Sequence, residues 1–121
     1  PGNDLSVIVE IGGGDVPRSL FLGDLSAEAQ RMLMRTAHIR GAFDVVKVAH
    51  HGSADQDAGL YEALRPAAAI ISVGADNGYG HPRDEILATL QLIGAHVLRT
   101  DLHGRVIVAE SEGELQVWTD R

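Results

Sequence analysis

Apolar and polar residues alternate in short bursts along this chain, and the period changes from one segment to the next. In Leu5-Ser6-Val7-Ile8-Val9-Glu10-Ile11, the positions Leu5, Val7, Val9 and Ile11 share one face at period two, which predicts a strand. Gly12-Gly13-Gly14-Asp15 is a turn, and Val16-Pro17-Arg18 continues it as loop, so a hairpin connection is expected. The glycines do not suit a phosphate cradle, because the helix such a loop requires does not follow. Ser19-Leu20-Phe21-Leu22 is a second short apolar strand, closed by Gly23-Asp24. Ser26 then serves as N-cap for a helix from Ala27 to about Ala37, with Ala29, Leu33 and Ala37 at helical spacing.

The pattern sharpens after Gly41. Asp44-Val45-Val46-Lys47-Val48-Ala49 is β-branched and mostly apolar, and it stops abruptly at His50-His51-Gly52-Ser53. A weakly amphipathic helix from about Gln56 to Leu64 follows and is blocked by Pro66. Ala67 to Val73 is the most buried-looking strand, running into Gly74-Ala75-Asp76-Asn77-Gly78-Tyr79-Gly80-His81-Pro82. Pro82 fits the first turn of the next helix, with His81 at its cap; Ile86, Leu90 and Ile93 form the apolar stripe and Gly94 the stop. The remainder is strand-like at His96 to Arg99, Arg105 to Ala109 and Leu115 to Thr119, with Ser111-Glu112-Gly113 turning a hairpin. The expected fold class is α/β, a mixed sheet with helices packed on it, in one domain or part of one over residues 1–121.

Composition narrows the chemistry. The chain has 121 residues and no cysteine, so any metal must be held by His, Asp or Glu, which points to Zn, Mn, Fe or Mg. No apolar run has membrane-spanning length, and no signal-peptide pattern is present. A net charge of −7 argues against a sequence-independent grip on nucleic acid, although bound divalent ions would invert the sign locally. With 4% aromatic residues, base stacking is not an obvious mode of binding.

Strand, helix, strand, helix, strand, helix favours neighbouring parallel strands whose carboxyl ends share one edge. At that edge the sequence places Asp24, then His50, His51 and Ser53, then Asn77, Tyr79 and His81. Alone, Asp24 would be an ordinary turn residue and each histidine an ordinary packed or exposed one. Together they suit metal-assisted hydrolysis, in which a divalent ion polarises a phosphoryl or carbonyl oxygen and generates hydroxide. Asp24 has two oxygens with which to bridge ions, and His50 or His51 has a ring nitrogen to ligate one. Ser53 can donate to a phosphate oxygen, and His81 with the N–H groups of the following helix can receive an anion. Spacing does not choose between His50 and His51, because successive strand side chains point to opposite faces. His38, His96 and His103 sit in ordinary settings, and Arg99, Thr100 and Asp101 are expected to secure a strand end.

The runs Leu22-Gly23-Asp24, Lys47-Val48-Ala49-His50-His51-Gly52-Ser53, Ser72-Val73-Gly74 with Asn77, Tyr79-Gly80-His81-Pro82, and Arg99-Thr100-Asp101 with Gly104 resemble one family. It is the metallo-β-lactamase-fold domain at the C-terminal end of ComEC/Rec2 competence proteins, whose Asn-x-x-Ser strand Asn3 to Ser6 also resembles. The resemblance implies a four-layer αββα sandwich with a two-metal hydrolytic site, holding Zn or Mn. It implies a role in DNA uptake, degrading the non-imported strand on the outer side of the bacterial cytoplasmic membrane. By position, Asp24 would be the bridging ligand and one of His50 and His51 the later histidine ligand. Asp24, His50, His51 and His81 would then be the catalytic set, with Ser53, Asn77, Tyr79 and His81 toward the substrate.

The family's first metal motif, of the His-x-Asp-x-Asp-His kind, has no counterpart here, since the first histidine is His38. The chain is therefore expected to be the second half of the domain, completed by an N-terminal half-domain and a transmembrane channel region of the same polypeptide. Alone it is expected to bind metal weakly or not at all, to hydrolyse nothing efficiently, and to cover its open sheet face by self-association or strand rearrangement. The alternatives are a small-molecule phosphodiesterase or esterase of the same fold, and a non-catalytic binding or assembly module.

Overall fold

The computed structural model describes residues 7–36, 39 and 41–121. Leu5 and Ser6 of the first expected strand, the Asn3 to Ser6 match, Ala37 and His38 lie outside the described residues.

Strand β1 (Val9–Gly13) pairs antiparallel with β2 (Val16–Phe21), and β2 is followed in parallel by β3 (Val45–Lys47), β4 (Ala68–Ile71) and β5 (His96–Arg99). The fold is thus mixed α/β. Helices α1 (Ala27–Thr36), α2 (Ala58–Leu64) and α3 (Asp84–Leu92) make the successive crossovers. Each moves one strand along in the same direction, so right-handed connections stack all of them on one face. There Leu20, Val46, Ala69 and Ile71 of the sheet meet Leu60, Tyr61, Leu64, Ile86 and Leu90 of the helices in one buried cluster. Period-two alternation sends the neighbouring side chains to the other face.

That other face is not bare. Val45, Ala68 and Leu98 pack there with Ile70 against Val106, Val108, Leu115 and Val117. The latter belong to a hairpin of β6 (Val106–Ser111) and β7 (Glu114–Thr119), turned at Glu112 and Gly113, both at positive φ (53° and 79°). The hairpin covers the middle of the sheet and reaches the antiparallel pair at its turn, where the Glu110 N–H donates to the Asp15 carbonyl at 2.9 Å. By register, Val9, Ile11 and Phe21 lie on the same face as Val45, and they remain 41%, 43% and 39% exposed.

Three local expectations need correction. Val16-Pro17-Arg18 belongs to β2 rather than to a loop. Pro17 is tolerated because pairing with β1 slips between Ile11 and Gly13 and pairing with β3 begins only at Ser19, so no ladder donor is asked of it. The helix after Pro82 begins at Asp84 with Arg83 at its N-cap, and Pro82 is instead buried against Gly52. His81 is therefore not the cap, and Asp84 and Glu85 occupy the first turn, where an anion would be repelled. Finally, a short helix α4 (Thr100–His103) follows β5, unforeseen from its pattern. Among the described residues no helix is long and apolar enough to cross a membrane.

Candidate functional site

The carboxyl ends of β2, β3 and β4 open onto one cleft of about 400 Å³, lined by Asp24, His50, His51, Val73, Gly74, Asn77, Tyr79 and His81. Most of the residues singled out from the sequence therefore converge. Ser53 does not line it. Ser53 is buried, and its Oγ accepts from the Asp55 N–H at 3.3 Å.

His50 and His51 do not end a strand in alternation, as expected, but form a tight turn after Val48. Both sit at positive φ (49° and 54°), a conformation that costs an ordinary residue roughly 1–2 kcal/mol. Left-handed backbone brings both rings to the same cleft, where an extended chain would have split them between faces. Gly52, at φ 80°, completes the turn for a steric reason as well. A Cβ there would lie 2.6 Å from Pro82 Cβ and 3.1 Å from Pro82 Cα. The missing side chain lets the histidine turn rest on Pro82, and the Arg83 N–H reaches the Gly52 carbonyl at 2.8 Å. His50 and His81 consequently have ring centroids 6.0 Å apart.

One of the adjacent histidines has its tautomer set by a backbone carbonyl. His51 Nδ1 lies 2.6 Å from the Ser72 carbonyl oxygen. A carbonyl can only accept, so Nδ1 carries a proton and, in the neutral ring, Nε2 is the electron-pair donor. His51 Nε2 faces Asp24 Oδ1 at 3.9 Å, with both side chains about half exposed. A backbone carbonyl behind one ring nitrogen and a carboxylate before the other is how a metal-binding imidazole is commonly oriented.

Behind this rim lies a buried amide and hydroxyl relay that sequence reasoning missed. The Tyr61 hydroxyl accepts from the Ala49 N–H at 3.2 Å and donates to Gln56 Oε1 at 2.7 Å. Gln56 Nε2 donates to the Ala49 carbonyl at 2.8 Å. Gln30 Nε2 donates to Gln56 Oε1 at 2.9 Å and to the Leu25 carbonyl at 3.0 Å, while Gln30 Oε1 accepts from the Asp57 N–H at 2.8 Å. One end of the relay grips the residue before His50, and the other grips the residue after Asp24. A direct bond from the His50 N–H to the Gly23 carbonyl, 2.8 Å, joins the same two loops. The one signal available beforehand was a glutamine, Gln30, set between Ala29 and Leu33 of α1; its burial is seen only in the fold. Burial of Tyr61 pushes its phenol well above the usual range.

Other groups frame the cleft. Asn77 Nδ2 donates to the carbonyls of Gly74 and His81, both at 3.0 Å, and its Oδ1 accepts from the His81 N–H at 2.9 Å. Its side chain thus braces the loop that carries Tyr79 and His81. Thr100 Oγ1 accepts from the Val73 N–H and donates to the Val73 carbonyl, both at 2.8 Å, fixing the end of β4. The Arg99–Asp101 pair (2.7 Å) and the bond from the Arg99 N–H to His103 Nδ1 (2.9 Å) secure the end of β5. Desolvation, followed by the nearby charges of His50, Arg83 and His51, holds the His81 imidazole below its ordinary range. Desolvation likewise lowers the Lys47 amine, against the opposing pull of Asp24. Lys47 is a further residue near the rim that the sequence did not single out.

A metal centre must be tested against these donors. Protein metal sites generally take three or more protein ligands. Among the described residues no group of three or more His, Asp or Glu is placed to hold an ion. The two-metal centre implied by the resemblance therefore does not fit the described residues by themselves; Asp24 and His51 supply a facing carboxylate and imidazole, which is part of a cage.

The chain is similar to three bacterial proteins, one named for competence and one for recombination. It is 38% identical over 89 residues to ComE operon protein 3 of Bacillus subtilis, covering 72% of this chain and 11% of that protein. It is 31% identical over 86 residues to Competence protein ComA of Neisseria gonorrhoeae, covering 70% and 12% respectively. It is 30% identical over 112 residues to Recombination protein 2 of Haemophilus influenzae, covering 92% and 14%. The chain thus spans a small fraction of the relatives it matches. No protein-family model and no solved structure matches it.

Proposed function

We propose that this chain is the C-terminal half of a metallo-β-lactamase-like hydrolase domain in a competence protein, acting on DNA during uptake. The observation that carries the proposal is the pairing of Asp24 with His51 at 3.9 Å on the shared strand-end rim, with the His51 tautomer held by Ser72. Similarity to proteins named for competence and recombination supplies the DNA context. The helix layer, the five-stranded sheet and the hairpin on its far face are compatible with one half of an αββα sandwich whose second sheet is completed by other strands. The half-exposed Val9, Ile11 and Phe21 mark where those strands would lie.

In this proposal Asp24 and His51 are the metal ligands contributed by this half. His50 and His81 face the scissile phosphodiester, and the remaining ligands for Zn or Mn come from the N-terminal half-domain. The substrate is the strand that is not imported, met on the outer side of the cytoplasmic membrane. The test is Asp24→Asn and His51→Gln in the whole polypeptide that carries this chain, with degradation of labelled DNA measured during transformation. Loss of strand degradation in both variants is the expected result. Wild-type degradation in both would refute the proposal and favour a non-catalytic module.

A further inference from the structure

We propose that the stacked pair Tyr79 and His81 is a platform for one base of a single DNA strand, so that the cleft selects unpaired over duplex DNA. The proposal rests on the DNA function above and specifies the form of the substrate.

Tyr79 is 77% exposed, the most exposed of the large aromatic side chains, and takes no part in the core. It is not on a loose tail. The loop carrying it is braced by the three side-chain hydrogen bonds of Asn77, so the ring is presented by a fixed backbone. Its ring lies over the His81 imidazole with centroids 5.8 Å apart and planes inclined by 27°. One partner is therefore already stacked beneath the phenol, and its high exposure leaves the remaining surface to solvent. The same two rings line the cleft that holds Asp24 and His51, so a base on Tyr79 would place its own phosphate near the candidate hydrolytic groups. A volume of about 400 Å³ suits a nucleotide-sized group.

Charge sharpens the choice of ligand. A net charge of −7 disfavours gripping a duplex through its phosphates alone. Stacking does not depend on net charge, and any base offers a π-face. Bases in a duplex have both faces covered by neighbours and are reached only by extrusion, which costs unstacking energy. An aromatic platform on a chain of net negative charge therefore favours a strand whose bases are already unpaired. The low aromatic content argued against stacking on average; the fold concentrates one of the two tyrosines where it counts.

The experiment measures binding of the 121-residue chain to a short oligothymidylate containing the fluorescent base 2-aminopurine, and to a duplex of the same sequence. Tyr79→Ala should weaken single-strand binding by about 5- to 150-fold, the loss equivalent to one stacked base. Tyr79→Trp should bind at least as well as the wild type and retain the quenching of 2-aminopurine, whereas Tyr79→Leu should lose the quenching. Duplex binding should be weaker and unaffected by all of these. Equal single-strand binding by the wild type and Tyr79→Ala, or full quenching with Tyr79→Leu, would overturn the platform. If Asp24→Asn in the whole polypeptide still stops DNA degradation, the proposed function stands without it. A wild-type chain that binds neither oligonucleotide would overturn the platform as well.

Discussion

Gln56→Leu is the perturbation that tests whether the buried relay holds the two site loops in register. Gln56 makes three hydrogen bonds: its Nε2 to the Ala49 carbonyl, and its Oε1 from Gln30 Nε2 and from the Tyr61 hydroxyl. Leucine leaves three polar groups each short of one partner. At a net of about 1 kcal/mol apiece, with partial burial keeping desolvation at the lower end, the loss is about 3 kcal/mol. For a domain of this size that corresponds to roughly 10 °C in melting temperature. Tyr61→Phe removes two bonds and leaves the Ala49 N–H orphaned in the core, at about 1–3 kcal/mol. The double variant should cost less than the sum by about 1 kcal/mol, because both single changes remove the same Tyr61–Gln56 bond. Urea unfolding gives the stabilities, and two-dimensional NMR gives the imidazole resonances of His50 and His51. These two should shift in either variant, while those of His96 and His103 stay in place. A loss below about 0.5 kcal/mol for Gln56→Leu, strict additivity, or unmoved His50 and His51 resonances would refute the reasoning.

Further outcomes follow from single residues. Gly52→Ala must displace Pro82 and adopt a positive φ, so it should destabilise by about 2–4 kcal/mol in chemical denaturation; an unchanged midpoint would remove the steric account of the turn. His50→Asn should change stability by less than about 1 kcal/mol, since asparagine tolerates left-handed backbone, yet should depress DNA degradation by the whole polypeptide. The Asp101 carboxyl is held below its ordinary value chiefly by the Arg99 hydrogen bond. Its contribution is therefore present above the unfolded-state value and lost as pH falls through the depressed one. Asp101→Asn should flatten the acid limb of the stability profile below about pH 4 and leave the alkaline limb unchanged, as read by urea midpoints across pH.

Much of this molecule was legible from residue order alone, for reasons visible element by element. The apolar runs at Val45 and Ala68 announced interior strands, and the Ser26 cap announced α1. The turn at Glu112 and Gly113 announced the closing hairpin. Pro17 misled because proline ordinarily breaks a ladder, and only the slipped pairing with β1 makes it harmless. Pro82 misled because its role is to support Gly52 rather than to start a helix. The expectation of an uncovered sheet face gave way in part because Val106, Val108, Leu115 and Val117 alternate and could be recognised as one face only once β6 and β7 were seen packed on Val45 and Leu98.

Short-range periodicity, caps and turn residues are local properties, so sequence alone determined the α/β class, the parallel strands and a shared rim carrying Asp24, one or other of His50 and His51, Asn77, Tyr79 and His81. Tertiary structure decided the rest. Which nitrogen of His51 offers its electron pair depends on a carbonyl at Ser72, at a different strand end. That both rings share a cleft depends on a left-handed turn that Pro82 and the Tyr61–Gln56–Gln30 relay hold from behind. Apart from the Tyr61–Gln56 bond, these contacts join residues more than ten positions apart, and no local pattern encodes a partner that only the folded chain brings near.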